Sequence, residues 1–102
     1  MNLLDETIAD LKEYGYTPQN VIAVGDWNEG YSTWDDFESR AKKINYDNSY
    51  GAVEINTNLT IWLDDRNFFE RQEYDGSEWW RLTGTPLLPK KGKYNILYEE
   101  EK

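Results

Sequence analysis

Two short stretches of this 102-residue chain carry oxygen-bearing side chains at alternate positions before a glycine, as calcium-binding loops do. They are Asp26-Trp-Asn-Glu-Gly30 and Asp47-Asn-Ser-Tyr-Gly51. A complete loop of this kind also has a glutamate at its twelfth position, where this chain has Phe37 and Asn58. Asp and Asn side chains also stabilise ordinary turns. We therefore predict structural turns here, with no metal and no cofactor.

Catalytic chemistry would depend on carboxylates, because the chain has neither histidine nor cysteine. A glycoside hydrolase needs two carboxyl groups about 5–9 Å apart in a substrate cleft. With 20 Asp and Glu residues, two carboxylates come close together by chance in almost any fold. A chain of this length also has little room for a cleft. We therefore predict that the protein is not an enzyme.

Aromatic residues make up 16% of the chain and include five tryptophans, which could stack on sugars or on single-stranded nucleic acid. Single-strand binders add a basic groove to such a platform, whereas this chain has a net charge of −9. Aromatic rings also fill the cores of small proteins. A non-catalytic module that binds protein or carbohydrate through aromatic side chains is the alternative function, and it requires two exposed tryptophans on one face.

The charge of the chain is unevenly distributed. Residues 1–80 hold 17 acidic and 6 basic side chains, whereas residues 81–98 hold four basic and no acidic ones. Such a surface repels nucleic acid and attracts a basic protein surface. Carboxylates spaced along helices and turns can also imitate the phosphates of a duplex. We therefore predict a basic, nucleic-acid-binding protein as the partner, with no direct contact to nucleic acid.

The candidate partner-binding side chains are carboxylates predicted at turns and on exposed helix faces, together with one tryptophan. They are Asp26, Glu29, Asp35, Asp36, Asp64, Asp65, Glu73, Asp75, Glu78 and Trp79. Acidity can also serve only to keep a small protein soluble, and the sequence leaves that alternative open.

A first amphipathic helix is predicted over residues 3–14, with Asn2 as its N-cap and Gly15 as its end. Leu4, Ile8 and Leu11 would form its buried face, because they recur at helical spacing.

A second helix is predicted over residues 34–44, and it begins in a capping box formed by Thr33 and Asp36. Its buried stripe would contain Trp34, Phe37, Ala41 and Ile44.

Strands are predicted over residues 21–25, 59–63, 68–74 and 77–82. The first is rich in β-branched residues and is expected to be buried on both faces. Asp75-Gly76 lies between the last two runs and is a strong hairpin signal. A two-residue turn there pairs Glu73 with Glu78, and it places Trp80 in the core and Trp79 on the more polar face.

These elements predict a single α+β domain over residues 1–102, in which a three- to four-stranded antiparallel sheet carries two helices on one face. Residues 85–102 would form an irregular or loosely ordered tail. The sequence has no features of a signal peptide and no apolar segment long enough to span a membrane. We therefore expect a cytoplasmic protein, of undetermined oligomeric state.

Three stretches resemble small uncharacterised acidic proteins carried by phages and mobile elements of Gram-positive bacteria. They are Trp34-Asp-Asp-Phe37, Asn45-Tyr-Asp-Asn-Ser-Tyr-Gly51 and Glu73-Tyr-Asp-Gly-Ser-Glu-Trp-Trp80, and the resemblance covers residues 20–86. It supplies no catalytic or binding residues. Short acidic proteins of such elements often inhibit host defence, as anti-restriction and anti-CRISPR proteins do. The resemblance therefore implies an inhibitor of host defence, and together with the acidic surface it predicts one that mimics nucleic acid.

Overall fold

The described part of the chain forms one antiparallel sheet of five strands with two α-helices. A computed structural model describes residues 1–47, 53–74, 77–84 and 91–98. The helices are α1 (Leu3–Glu13) and α2 (Trp34–Ala41), and the strands are β1 (Val21–Asp26), β2 (Gly30–Ser32), β3 (Leu59–Leu63), β4 (Asn67–Tyr74) and β5 (Ser77–Gly84). Their order in the sheet is β2-β1-β3-β4-β5. The predicted α+β class is confirmed, with the short strand β2 added to the predicted strands.

Helix α1 begins at the predicted residue Leu3 and ends at Glu13, one residue before the predicted end. The Asn2 side chain caps it, and Gly15 follows it at φ +85°, a left-handed conformation that favours glycine. The prediction for its buried face is wrong at Ile8, which is exposed. The helix instead turns Glu6 and Thr7 inward, because both side chains have polar partners in the core.

Helix α2 begins at the predicted residue, with the Thr33 hydroxyl accepting a hydrogen bond from the Asp36 amide at 3.2 Å, but the Asp36 carboxylate bonds to Ser32 and Arg40. It ends at Ala41, three residues before the predicted end. The amides of Lys43 and Ile44 bond to carbonyls three residues back, which closes the helix with a tighter turn. No helix among the described residues has the length and hydropathy to cross a membrane.

The main core lies between one face of the sheet and the two helices, as predicted. Its buried members include Leu3, Leu11, Phe37 and Ala41 from the helices and Val24, Ile61, Leu63, Phe69 and Trp80 from the sheet. The other face of the sheet carries a smaller cluster of Ala23, Trp62 and Phe68, which packs with Tyr31.

Strand β1 is not buried on both faces along its whole length, because Ile22 is 56% exposed. The pairing of β1 with β3 shifts register between Val21 and Ala23, and Ile22 lies within this irregularity. The predicted double burial is therefore wrong at Ile22, and it holds from Ala23 to Asp26.

Strands β4 and β5 pair in the predicted register, with Glu73 opposite Glu78. Trp80 is 5% exposed and lies in the main core, whereas Trp79 is 40% exposed. The predicted assignment of the two tryptophans is therefore confirmed. The turn itself, with Asp75, lies outside the described residues.

Residues 91–98 form neither helix nor strand, yet they pack closely against the domain. Tyr94 and Ile96 are buried in the main core. The Gly92 amide donates to the Tyr31 carbonyl at 3.2 Å, and the Asn56 amide donates to the Ile96 carbonyl at 2.7 Å. This segment is thus part of the domain rather than a loose tail.

Candidate functional site

The ten side chains predicted to bind a partner do not form one surface. Asp64 and Asp65 lie in the turn between β3 and β4, whereas Glu29 and Glu73 lie at the opposite end of the sheet. Asp75 lies outside the described residues. Of the others, Asp35 and Trp79 are exposed, Asp36 is half-buried, and Asp26 and Glu78 are buried.

The expected exposure of Asp26 is wrong, because only 4% of this residue is accessible to solvent. Its carboxylate accepts hydrogen bonds from the Asn28 amide and from the Asn56 side chain, both at 2.8 Å. The first bond forms an Asx turn that closes the β1–β2 hairpin, in agreement with the prediction of a structural turn. Asp26 is therefore a structural residue.

The expected exposure of Glu78 is also wrong, since this residue is 3% exposed. Its two carboxylate oxygens accept hydrogen bonds from the amides of Glu54 and Ile55 at 3.0 and 2.9 Å. The guanidinium of Arg71 lies 3.8 Å away. These partners offset the cost of burying a charge, and they remove Glu78 from the surface.

Arg71 connects Glu78 to a second buried carboxylate, that of Glu6 on α1. Arg71 Nη1 lies 3.2 Å from Glu6 Oε2, and Arg71 Nη2 donates to the Tyr46 hydroxyl at 2.8 Å. Tyr46 in turn donates to Glu6 Oε1. Burial raises the pKa of Tyr46 far above its usual value, so the phenol keeps its proton and acts as a donor. The guanidinium also lies 4.9 Å from the centre of the Trp80 ring system.

Further carboxylates surround this network, and Asp10 follows Glu6 after one helical turn. Glu73 follows Arg71 by two residues and therefore lies on the same face of β4. We use the name carboxylate cluster for Glu6, Asp10, Asp47, Glu54, Glu73 and Glu78. The described ion pairs of this cluster are those of Arg71 with Glu6 and with Glu78.

The segments on either side of residues 48–52 complete the cluster. The Glu54 amide is bonded to Glu78, and the Glu54 carboxylate accepts a hydrogen bond from the Asp47 amide at 3.0 Å. Both Asp47 and Glu54 are exposed. No three acidic side chains in the described part of the chain converge closely enough to hold a metal ion. The carboxylates are therefore spread over a surface.

Asp10 is half-buried at this surface. Its partial burial and the nearby charges of Glu6 and Glu13 raise its pKa from 3.8 to about 6, and Arg71 opposes this only in part. Arg71, which pairs with Glu6 and Glu78, contributes one positive charge against the six carboxylates of the cluster. The surface around Asp10 is negative and is suited to a cationic partner.

Sequence reasoning identified Glu73 and Glu78 in the cluster but missed Glu6, Asp10, Asp47 and Glu54. The spacing of Glu6, Asp10 and Glu13 along α1 is visible in the sequence and could have indicated a line of acidic side chains. The contribution of Asp47 and Glu54 depends on tertiary contacts between segments distant in the sequence. No local pattern signals those contacts.

The exposed tryptophans do not form the shared face that an aromatic binding module requires. Trp27 is 53% exposed and follows β1 at the tip of the hairpin with the edge strand β2. Trp79 is 40% exposed and lies in β5, the opposite edge strand. Three strands separate β2 from β5, so one ligand of modest size could not contact both rings.

No protein-family model matches the chain, and no solved structure matches it. Its function is therefore inferred from its own side chains and their contacts. Among these, the carboxylate cluster combines six acidic groups with a defined, hydrogen-bonded geometry.

Proposed function

We propose that this protein is a non-catalytic binding protein, which attaches to a basic surface of a nucleic-acid-binding protein through the carboxylate cluster. The observation that carries the proposal is geometric: six carboxylates share one buried guanidinium, that of Arg71, which lies 3.2 Å from Glu6 and 3.8 Å from Glu78, so the carboxylates repel one another. A lysine or arginine of a partner placed beside Asp10 relieves this repulsion. The resulting decrease in free energy favours the complex.

The internal arrangement of the cluster supports binding by a prearranged surface. Arg71 and the backbone amides fix Glu6 and Glu78 below the surface. Asp10 and Glu73 lie above them on α1 and β4, two elements that these buried contacts connect. A surface that is already ordered loses little conformational entropy when it binds. Carboxylates held in this way act on a partner as the phosphates of a duplex do.

The partner class that we propose is a nucleic-acid-binding protein of host defence. A small protein of net charge −9 that occupies its nucleic-acid channel excludes the substrate by direct competition. The chain then acts as an inhibitor of the anti-restriction or anti-CRISPR type.

Affinity capture from a lysate of the natural host tests this function. A cluster variant carries Asp47→Asn, Glu54→Gln and Glu73→Gln, which preserve side-chain shape and hydrogen-bond acceptors. A control variant carries Glu29→Gln, Asp35→Asn and Glu38→Gln and has the same net charge. The wild type and the control should capture a nucleic-acid-binding protein that added duplex DNA displaces, and the cluster variant should lose it.

The comparison also separates specific recognition from acidity that only confers solubility. Loss of capture in both variants to the same extent indicates a dependence on total charge and contradicts a dedicated site. Failure of the wild type to capture any nucleic-acid-binding protein contradicts the proposed function itself.

A further inference from the structure

A groove of about 560 Å³ lies on a part of the molecule separate from the carboxylate cluster. Its walls are residues 31–32 at the end of β2, Asp36 and Arg40 on α2, and residues 91–95. Small-molecule sites in proteins typically have volumes of about 300–1,000 Å³. The groove is therefore large enough for a compact ligand.

The backbone fixes the wall formed by residues 91–95. Lys91 forms a parallel bridge with Tyr31, and the Gly92 amide donates to the Tyr31 carbonyl at 3.2 Å. A Cβ atom at Gly30 would lie 2.8 Å from the carbonyl carbon of Gly92, so only glycine at position 30 permits this close approach. The backbone on either side of Gly92 is thus held in place, and so are the Cα atoms of Lys91 and Lys93.

The groove is basic although the whole chain is acidic. Its charged side chains are Arg40, Lys91, Lys93 and Asp36. Partial burial raises the Asp36 pKa, but hydrogen bonds from Ser32 at 2.7 Å and from Arg40 at 3.1 Å outweigh it and lower the pKa. Asp36 therefore remains ionised and is paired with Arg40. It does not complete the capping box that the sequence predicts.

The two lysines differ from Arg40 in their surroundings. Both are exposed, and in the described part of the chain neither ammonium group forms an ion pair. Their positive charges are thus not compensated across the groove. Both lysines line the groove, one on either side of Gly92, so both can approach one anion bound there.

The floor of the groove adds neutral hydrogen-bonding groups. Tyr94 lies beneath Arg40, whose guanidinium is 4.6 Å from the centre of its ring. Burial raises the pKa of Tyr94 to about 12, so its hydroxyl keeps a proton at neutral pH. The Ser32 hydroxyl lies 3.1 Å from it. Polar groups of this kind orient a ligand that the lysines attract.

A neighbouring groove of about 350 Å³ limits the length of the ligand. It shares the wall formed by Lys93, Tyr94 and Asn95, but it is also lined by Asp26 and Glu29. A strand of nucleic acid leaving the basic groove would meet these two acids. The basic groove therefore favours a short anion over an extended polyanion.

We propose that this groove binds a small organic phosphate of about the size of a nucleoside monophosphate, with its phosphate group between Lys91 and Lys93. Lysine ammonium groups act as point charges and bind phosphate oxygens through charge-assisted hydrogen bonds. The remainder of the ligand occupies the groove between Tyr31 and α2.

Titration of the ¹⁵N-labelled protein with adenosine monophosphate, followed by NMR, tests the proposal. Saturable shifts should be confined to the amides of residues 31–32, 36–40 and 91–95. Lys91→Gln and Lys93→Gln should each weaken binding about tenfold, because each removes a charge-assisted hydrogen bond. Lys12→Gln on α1 should bind as the wild type does, and adenosine should cause no saturable shifts.

Three outcomes would overturn the proposal. Sodium chloride at matched ionic strength could reproduce the shifts, which would identify a general salt effect. Variants of Lys91 and Lys93 could bind with wild-type affinity. Inorganic phosphate could bind as tightly as adenosine monophosphate, which would overturn the assignment of an organic ligand.

Discussion

Arg71 Nη1 on β4 lies 3.2 Å from Glu6 Oε2 on α1, and the Arg71 side chain is only 1% exposed. The same guanidinium lies 3.8 Å from Glu78 on β5. One buried cation therefore connects the helix to both strands of the β4–β5 hairpin. Each carboxylate depends on it, because an unpaired charge is costly in the interior.

Replacement of Arg71 by methionine should destabilise the protein by about 3–5 kcal/mol, because it leaves Glu6 and Glu78 buried without a counter-charge. Urea denaturation at pH 7 measures this change in the free energy of unfolding. Arg81→Met is the matched control on the neighbouring strand. Arg81 lies 2.7 Å from Glu70 but is 57% exposed, so its loss should cost about 1 kcal/mol or less. Equal effects would contradict the assigned role of Arg71.

Asp10→Asn should stabilise the protein at pH 7. The folded-state pKa of about 6 lies above the ordinary value of 3.8, so the folded state binds this proton more tightly than the unfolded state. Ionisation of Asp10 therefore opposes folding, with no effect below pH 3.8 and its full effect above about pH 6.

The gain from Asp10→Asn at pH 7 should be about 1 kcal/mol, since solvent screens this half-buried group. It should shrink as the pH falls through 6 and disappear near pH 3.8. Thermal denaturation of both proteins across this range measures the difference. Asp5→Asn in the first turn of α1 should give no gain, because the helix N-terminus favours an acidic side chain there. A gain in stability from Asp10→Asn that does not vary with pH would exclude ionisation of Asp10 as its cause.

The two adjacent tryptophans should differ in their contributions to stability. Trp80 is buried, and its indole donates to the Thr7 hydroxyl at 3.0 Å, so Trp80→Leu should cost about 3 kcal/mol. Trp79→Leu should cost less than about 1 kcal/mol, because Trp79 is 40% exposed. Chemical denaturation measures both values, and a similar cost at the two positions would contradict the described hairpin register.

Two residues have left-handed backbone conformations, and substitutions at these residues should change the stability of the protein in opposite directions. Gly15 has φ +85° and no neighbouring atom near its missing Cβ, so Gly15→Ala should cost about 1 kcal/mol through backbone strain alone. Arg66 has φ +73° and is exposed. Arg66→Gly should therefore stabilise the protein by about 0.5 kcal/mol, the relief of strain being partly offset by the flexibility of glycine. Changes in melting temperature of the same sign would refute this.

Local signals in the sequence predicted the fold well. The caps Asn2 and Thr33 and the hairpin residues Asp75-Gly76 act within a few positions, so their effects can be read without knowing tertiary contacts. The strand β2 contains only three residues, too few for a recognisable alternating pattern.

Local sequence patterns did not predict which polar residues are buried. Glu6 and Thr7 face the core because Arg71 and Trp80 lie opposite them, on strands more than 60 residues away in the chain. Glu78 is buried for the same kind of reason, through amides at positions 54 and 55. Hydrophobicity alone assigns such side chains to the surface.

The carboxylate cluster was found only partly from the sequence for a related reason. With 20 acidic residues, the sequence does not distinguish those that gather around Arg71 from those that lie elsewhere. Turn positions guided the prediction to Asp64 and Asp65, yet these bond to Asn20 and Tyr16 at the other end of the sheet. Only the tertiary structure shows which of the acidic residues form the cluster.

The salt dependence of partner binding tests the central claim most directly. For the nucleic-acid-binding partner captured from the host, dissociation constants of the wild type, the cluster variant and the control variant are measured at low and high salt. The account predicts tight wild-type and control binding that weakens steeply as salt rises, and weak binding of the cluster variant at both salt concentrations. Equal affinities of the cluster and control variants at low salt would contradict it.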